Sequence, residues 1–327
     1  MRTLSVIFVF VLCLWPGAGL GRAKHPIAAS GASTPPPFLT LLFSRTEVTA
    51  ANRCVADNVK IERLDTVVAP ELARRGYAGT GSVETGITPA TGYGCVHYKD
   101  SLTASWAELA HLRDAYGWRF VSHSRTYAKN WSAMTTQQQW DQTCGSLLDL
   151  EKHGHMSGDG LFAYPDNKWD ATVQANVVAT CFAFGRQYGN GPTGMITATQ
   201  PPYWQTSENL GGGRCNIKSL PCASIPNAPY RYDSPDAVAA QLAALAPAQW
   251  LTLQSYLLVR GSRSGMWDCT SSDWHRHWTD DFERYCYSDY LAVLNGIPAS
   301  VVVTDPKTVA VAWGRTAYTP PHLTDPG

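Results

Sequence analysis

Four side chains of the kinds that move protons or stabilise developing charge sit directly behind short apolar runs. They are Arg45 and Glu47 in "LLFSRTE", His123 in "FVSHSRTY" and Asp166 in "FAYPDN". An imidazole titrates near neutrality, so His123 can act as a general base or acid, and nearby carboxylates can share that work. Glu84 follows another such run, "GTGSV". Two of Glu47, Glu84 and Asp166 could therefore form the protonated and ionised carboxyl pair that splits a glycosidic bond. Tyr127, Tyr164, Tyr203, Trp204, Gln254 and Tyr256 occupy comparable positions beside or behind apolar runs. Flat amphipathic rings suit sugar faces, and these residues are expected to bind substrate.

Residues of this kind need a scaffold that gathers strand ends. Seven segments read as strands: "FLTLLF" (38–43), "GTGSV" (79–83), "WRFVS" (118–122), "GLFAY" (160–164), "GMITA" (194–198), "WLTLQSY" (250–256) and "SVVVT" (300–304). Stretches of helical period separate them, at 61–75, 105–116, 135–152, 170–188, 236–246, 280–294 and 306–313. The second of these opens with Ser105 and Glu108 in capping-box spacing and stops at Gly117. Alternating βα units predict an α/β protein with a single (β/α) barrel of about seven parallel strands, the alternative being an open doubly wound sheet. In both, functional residues collect at the C-terminal ends of the strands. Stretches 199–235 and 257–279, with their Gly, Pro and Cys, are expected to be disulfide-braced loops over that face.

Arg2, an apolar run from Leu4 to Trp15 and the small residues Gly17, Ala18 and Gly19 have the form of a secretory signal peptide, assigned to 1–23. The run is shorter than a membrane-spanning helix requires. Residues 24–37 read as a flexible Pro-rich lead-in, 38–316 as the folded domain and 317–327 as a tail. Cys13 leaves with the signal, and in a secreted, extracellular protein the remaining cysteines are expected to pair. Sequence proximity suggests Cys54–Cys95, Cys144–Cys181, Cys215–Cys222 and Cys269–Cys286. With 26 basic and 26 acidic side chains, no net field draws the chain to nucleic acid or to anionic lipid. The expected partner is a polysaccharide or oligosaccharide, with no nucleic acid, no membrane after signal cleavage, and a monomeric chain. His153 and His155, and His275 and His277, form H-x-H pairs that could bind metal on a strand, but they sit at expected helix ends or in loops, where a histidine in the last turn complements the helix dipole. Asn130-Trp131-Ser132 is a glycosylation sequon.

The order of "ELARRGYAGTGSV", "WAELAHLRDAYGWRFVSHSRTY", "GLFAYP", "WLTLQSY" and "SVVVTDPKTVA" resembles the polysaccharide deacetylases, secreted carbohydrate esterases on a seven-stranded (β/α) barrel. The resemblance implies a hydrolase that removes acetyl groups from a glycan. In that family the first Asp of a Thr-Phe-Asp-Asp-Gly motif is the general base. The second Asp and two His, from a His-Ser/Thr-x-x-x-His motif, hold a divalent metal. Here His123 keeps the first histidine, and Tyr127 or its neighbours stand at the second. Ser44 and Arg45 replace the aspartates, Tyr164 and Pro165 keep a Tyr-Pro pair, and Gln254 stands where a late histidine lies. Trp204 matches the tryptophan of an Asp-x-x-Asp-Trp motif without its acids. The usual zinc ligand set is incomplete, and no metal ligand is assigned. In its place Arg45 could clamp an oxyanion while Glu47, Asp166 or His123 takes a proton from water; alternatively Arg45 pairs with Glu47 or Glu84. Two other functions stay open: a non-catalytic glycan-binding protein using Trp131, Tyr203, Trp204 and Trp274, and a glycoside hydrolase.

Overall fold

A parallel strand covered on both faces becomes a continuous apolar run, and "FLTLLF" is such a run. As β1 (Phe38–Phe43) it is buried at every position. Leu39, Leu41 and Phe43 join one core, whereas Phe38 and Leu42 join another on the opposite face. The computed structural model describes residues 34–43, 62–88, 94–95, 102–165, 168–186, 195–197, 208–209, 213–214, 230–231, 234–255, 257–263, 267–272 and 284–314. All of them belong to one contact unit, Ser33–Gly327.

Eight further strands join β1 in one sheet: β2 (Thr80–Val83), β3 (Arg119–Ser122), β4 (Phe162–Ala163), β5 (Gly185–Arg186), β6 (Met195–Thr197), β7 (Glu208–Asn209), β8 (Gln249–Ser255) and β9 (Val302–Val303). The main order is β5-β4-β3-β2-β1-β8-β6. One edge of β1 pairs along its whole length with β8, Phe38 opposite Trp250 and Phe43 opposite Ser255. The other edge is shared by β9 at its start and β2 at its end. Pairing from β1 through β5 is parallel throughout.

The α/β class and the parallel sheet match the expectation. Among the described residues no pairing joins β5 to β6, so closure into a barrel is not seen there. Moreover β6 runs antiparallel to β8, which a repeated βα unit would not produce. β5 was expected to be the end of a helix over 170–188. Helical residues 171–181 end at Cys181, and Phe182 and Phe184, both buried, instead lead into the strand. Helix 61–75 is also divided: Pro70, with no N–H to donate, sits in the first turn of α1 (Ala69–Arg74) behind a wide π turn at Leu64–Val68.

α2 (Trp106–Tyr116) follows its sequence closely. Ser105 Oγ accepts from the Glu108 amide, the Glu108 carboxylate accepts from the Ser105 amide, and Gly117 closes the helix at φ 72°. Segment 135–152 forms two helices, α3 (Thr136–Gln142) and α4 (Cys144–Lys152), divided at Thr143. Helical residues 171–181 are α5, followed by α6 (Pro235–Ala243), α7 (Tyr287–Asn295) and α8 (Pro306–Ala312). Helices α1, α2, α6 and α7 share the core of Leu39, Leu41 and Phe43, and α8 packs Val309 and Ala310 beside Phe38 and Trp250 on the other. Among the described residues no helix is long and apolar enough to cross a membrane. Disulfides join Cys144 to Cys181 and Cys269 to Cys286, as proximity suggested. The two other pairings, like residues 1–33, involve positions outside the described residues.

The start of α8 is pinned against the loop before β4. Lys307 Nζ lies 3.0 Å from the Asp159 carboxylate, and a Cβ on Gly160 would lie 2.5 Å from the Lys307 amide nitrogen. Backbone cannot yield as a side-chain tip can. A Gly160→Ala variant is expected to lose about 1–3 kcal/mol of stability, the usual cost of overpacking, read from urea midpoints; an unchanged midpoint would contradict this contact.

Candidate functional site

Strand parity decides which side chains can meet. Gly81 pairs with Phe120 and Val83 with Ser122, and Val83 and Phe120 lie in the core beneath α2. The opposite face therefore carries Ser82 beside Val121 and, one register step further, Glu84 beside His123. The ladder extends that far, because the His123 amide donates to the Val83 carbonyl at 2.8 Å. Neither side chain is a surface charge: His123 is 1% exposed and Glu84 8%. By the same parity Trp250, Thr252 and Gln254 lie on this face next to Phe38, Thr40 and Leu42.

This face changes character along the strands. Its N-terminal end is apolar, where Phe184 and Trp313 pack around Trp250. Towards the C-terminal ends it becomes Thr80, Ser82, Thr252, Gln254, Glu84 and His123, all buried. The Thr252 hydroxyl has no hydrogen-bond partner among the described residues. Buried polar groups converging on the C-terminal edge of a parallel sheet are the usual makings of a site.

His123 Nδ1 lies 2.7 Å from the Ala163 carbonyl oxygen. A carbonyl can only accept, so the proton is on Nδ1 and Nε2 is the basic nitrogen of the neutral ring. The loop that follows is held in an unusual backbone. Ser124 (φ 68°) and Tyr127 (φ 57°) both adopt the left-handed region, which costs side-chain-bearing residues on the order of 1–3 kcal/mol and is concentrated at functional sites. Compensating bonds hold it: the Ala128 amide donates to Ser124 Oγ, the Ser124 amide to Ser122 Oγ, and Ser122 shares a hydroxyl bond with Ser146 on α4. The turn brings the half-buried Tyr127 ring edge-on to His123, centroids 5.4 Å apart.

Of the residues expected at the site, His123, Tyr127 and Gln254 are thus on this face or its rim. Tyr164 is not. Odd and even positions of a strand face opposite ways, and its ring packs behind the sheet with Trp131 and Phe162, its hydroxyl donated to Gln174 at 2.9 Å. Burial raises its phenol above the usual range, so it keeps its proton. Trp131, expected to line a groove, is a core residue of the same cluster. Arg45, Glu47, Asp166, Tyr203, Trp204, Tyr256 and Trp274 lie outside the described residues, as do His275 and His277. The sequence offers Glu84 as one of a glycosidase pair or as an ion-pair partner of Arg45, not as a neighbour of His123. Its place beside His123 follows from the register of two strands, which no single segment displays.

Among the described residues no group of three or more His, Cys, Asp or Glu side chains is arranged to hold a metal ion. Glu84 and His123 supply two donors, and His123 commits Nδ1 to a backbone carbonyl. This set does not fit the one aspartate and two histidines that the resemblance to the deacetylases implies.

A second buried histidine lies below the site. His155 is 2% exposed, wedged between Trp106 (centroids 5.8 Å apart) and Phe120 (4.8 Å). Neither ring nitrogen has a partner among the described residues. Burial, helped by Arg113 and His153, pushes its pKa down to about 4, with Asp114 opposing. Instead of complementing a helix end, His155 is a neutral core residue. His153 stacks flat on the other neighbour of that core, Trp106, at 3.9 Å.

No protein-family model matches the chain, and no curated relative matches it. Among solved structures, the chain is similar to a polysaccharide deacetylase from Bacillus cereus, with 17% identity and a TM-score of 0.32, covering 40% of this chain and 36% of that one. It is similar to a de-N-acetylase from Aggregatibacter actinomycetemcomitans, with 9% identity and a TM-score of 0.33, covering 46% of this chain and 63% of that one. It is also similar to a family 4 carbohydrate esterase from Streptomyces lividans, solved with acetate, with 11% identity and a TM-score of 0.40, covering 84% and 96%. The chain thus spans about a third of the first structure's length. These neighbours are polysaccharide deacetylases and carbohydrate esterases.

Proposed function

We propose that the chain is a secreted, monomeric hydrolase that removes acetyl groups from a glycan at the C-terminal edge of its sheet, with His123 as general base. One observation carries this reading: the Ala163 carbonyl holds the proton of His123 on Nδ1, so that Nε2 is basic, at the buried polar end of a parallel sheet beside Glu84. The motif around "SHSRTY" supports the choice of reaction.

In the proposed reaction His123 takes a proton from water as its oxygen attacks the acetyl carbonyl. The tetrahedral oxyanion then collapses, the bond to the sugar nitrogen or oxygen breaks, and the imidazolium returns the proton to that leaving atom. Acetate and a free amine or hydroxyl result. Glu84 stabilises the imidazolium by its charge. Arg45 clamps the oxyanion, and Glu47 or Asp166 assists proton transfer; these three roles rest on position in the sequence. Tyr127, Tyr203, Trp204, Gln254 and Tyr256 bind the sugar. Tyr164 has no part in it.

The test is to incubate purified protein with an acetylated polysaccharide, with and without chelator, and to measure acetate and reducing ends. Acetate release that survives chelation, with no new reducing ends, is expected. New reducing ends would indicate glycoside hydrolysis, and binding without either product would indicate a lectin-like protein; each would overturn the proposal.

A further inference from the structure

We infer that Asp149, on α4, is a positioning residue that ties together the loops carrying Glu84 and His123 and so sets their relative placement. Its consequence for turnover rests on the deacetylase reading; its geometry does not. Asp149 Oδ2 accepts from Arg125 Nε at 2.9 Å and from the Thr85 hydroxyl at 2.8 Å, while Oδ1 accepts from the other arm of the Arg125 fork at 3.0 Å. Thr85 is the residue after Glu84, and Arg125 lies two residues after His123. One carboxylate therefore grips the segment behind each proposed functional side chain.

The backbone completes the clamp. The Thr85 amide donates to the Ser124 carbonyl at 3.2 Å and the Gly86 amide to the Arg125 carbonyl at 2.9 Å, carrying the β2–β3 ladder past both strand ends. Two glycines make room: a Cβ on Gly86 would lie 2.9 Å from the Arg125 carbonyl oxygen, and one on Gly145 3.0 Å from the guanidinium carbon. From α3, Gln142 accepts from the Arg125 amide through its carbonyl and from Thr126 through its side chain. These bonds hold the segment bounded by left-handed Ser124 and Tyr127, and with it the edge-on contact of Tyr127 against His123. A partly exposed ion pair adds little to stability by itself, whereas small misplacements of reacting groups cost large factors in rate.

The experiment compares wild type with Asp149→Asn and Thr85→Val. Acetate-release kinetics are measured beside the NMR resonances of the His123 ring, which sense the neighbouring Tyr127 ring whether or not turnover occurs. Asp149→Asn should shift those resonances and lower kcat by about ten- to a hundredfold with KM within about twofold. Thr85→Val should do the same to a smaller extent. His123 resonances and kcat unchanged in Asp149→Asn, with only the melting temperature lowered, would reduce the clamp to a structural contact and overturn the inference. If wild type releases no acetate, the deacetylase reading fails, and the His123 resonances alone decide the inference.

Discussion

With His123 as the proposed general base, His123→Gln is expected to release acetate about a thousandfold more slowly than wild type, with KM little changed, because a general base acts in the transition state and not in binding. Glutamine is the informative replacement. Its amide N–H can still donate to the Ala163 carbonyl that holds His123 Nδ1 at 2.7 Å, and its size preserves the packing of a residue that is 1% exposed. What it lacks is a basic nitrogen. Glu84→Gln should slow the reaction less, since it removes a neighbouring charge and leaves the base. Initial rates of acetate release on folded, monodisperse protein provide the measurement. A His123→Gln variant within about threefold of wild type would exclude the imidazole from the chemistry, the expected loss for a general base being 10²–10⁴-fold.

The largest pH effect on stability is expected from His155. In the folded chain it is neutral, with a pKa pushed down to about 4 from an ordinary 6.5. Between those values the unfolded state binds a proton that the folded state does not, so stability falls as pH falls. The full contribution is present above about pH 6.5 and lost by about pH 4. That gap corresponds to roughly 3 kcal/mol, at about 1.4 kcal/mol per tenfold change in proton affinity. Protonation therefore opposes burial of His155 between Trp106 and Phe120, and Phe120 belongs to the strand that leads to His123. Urea midpoints at pH 7 and pH 4 should converge for His155→Leu relative to wild type, because leucine fills the apolar slot without titrating. Equal pH dependence in the two proteins would contradict a buried neutral imidazole.

What could be read from the sequence was what local chemistry decides. The Ser105 and Glu108 cap, the left-handed Gly117 and the unbroken apolar run of β1 are each specified within a few residues, and each stands where expected. The two disulfides seen join cysteines that are near in sequence. Parity and pairing were harder. Tyr164 follows an apolar strand as His123 does, but one step of alternation turns it into the core behind the sheet. Glu84 becomes a partner of His123 only through the register of β2 on β3. The short β5 was hidden behind helical residues, and β6 runs antiparallel to β8, which no property of "GMITA" announces.

The most direct test of the account is a crystal structure of the chain with a bound acetylated oligosaccharide. The account predicts the acetyl carbonyl carbon within reach of a water held by His123 Nε2, with Glu84 on the same side and the sugar ring against Tyr127. A sugar bound on another surface, with His123 and Glu84 untouched, would contradict it.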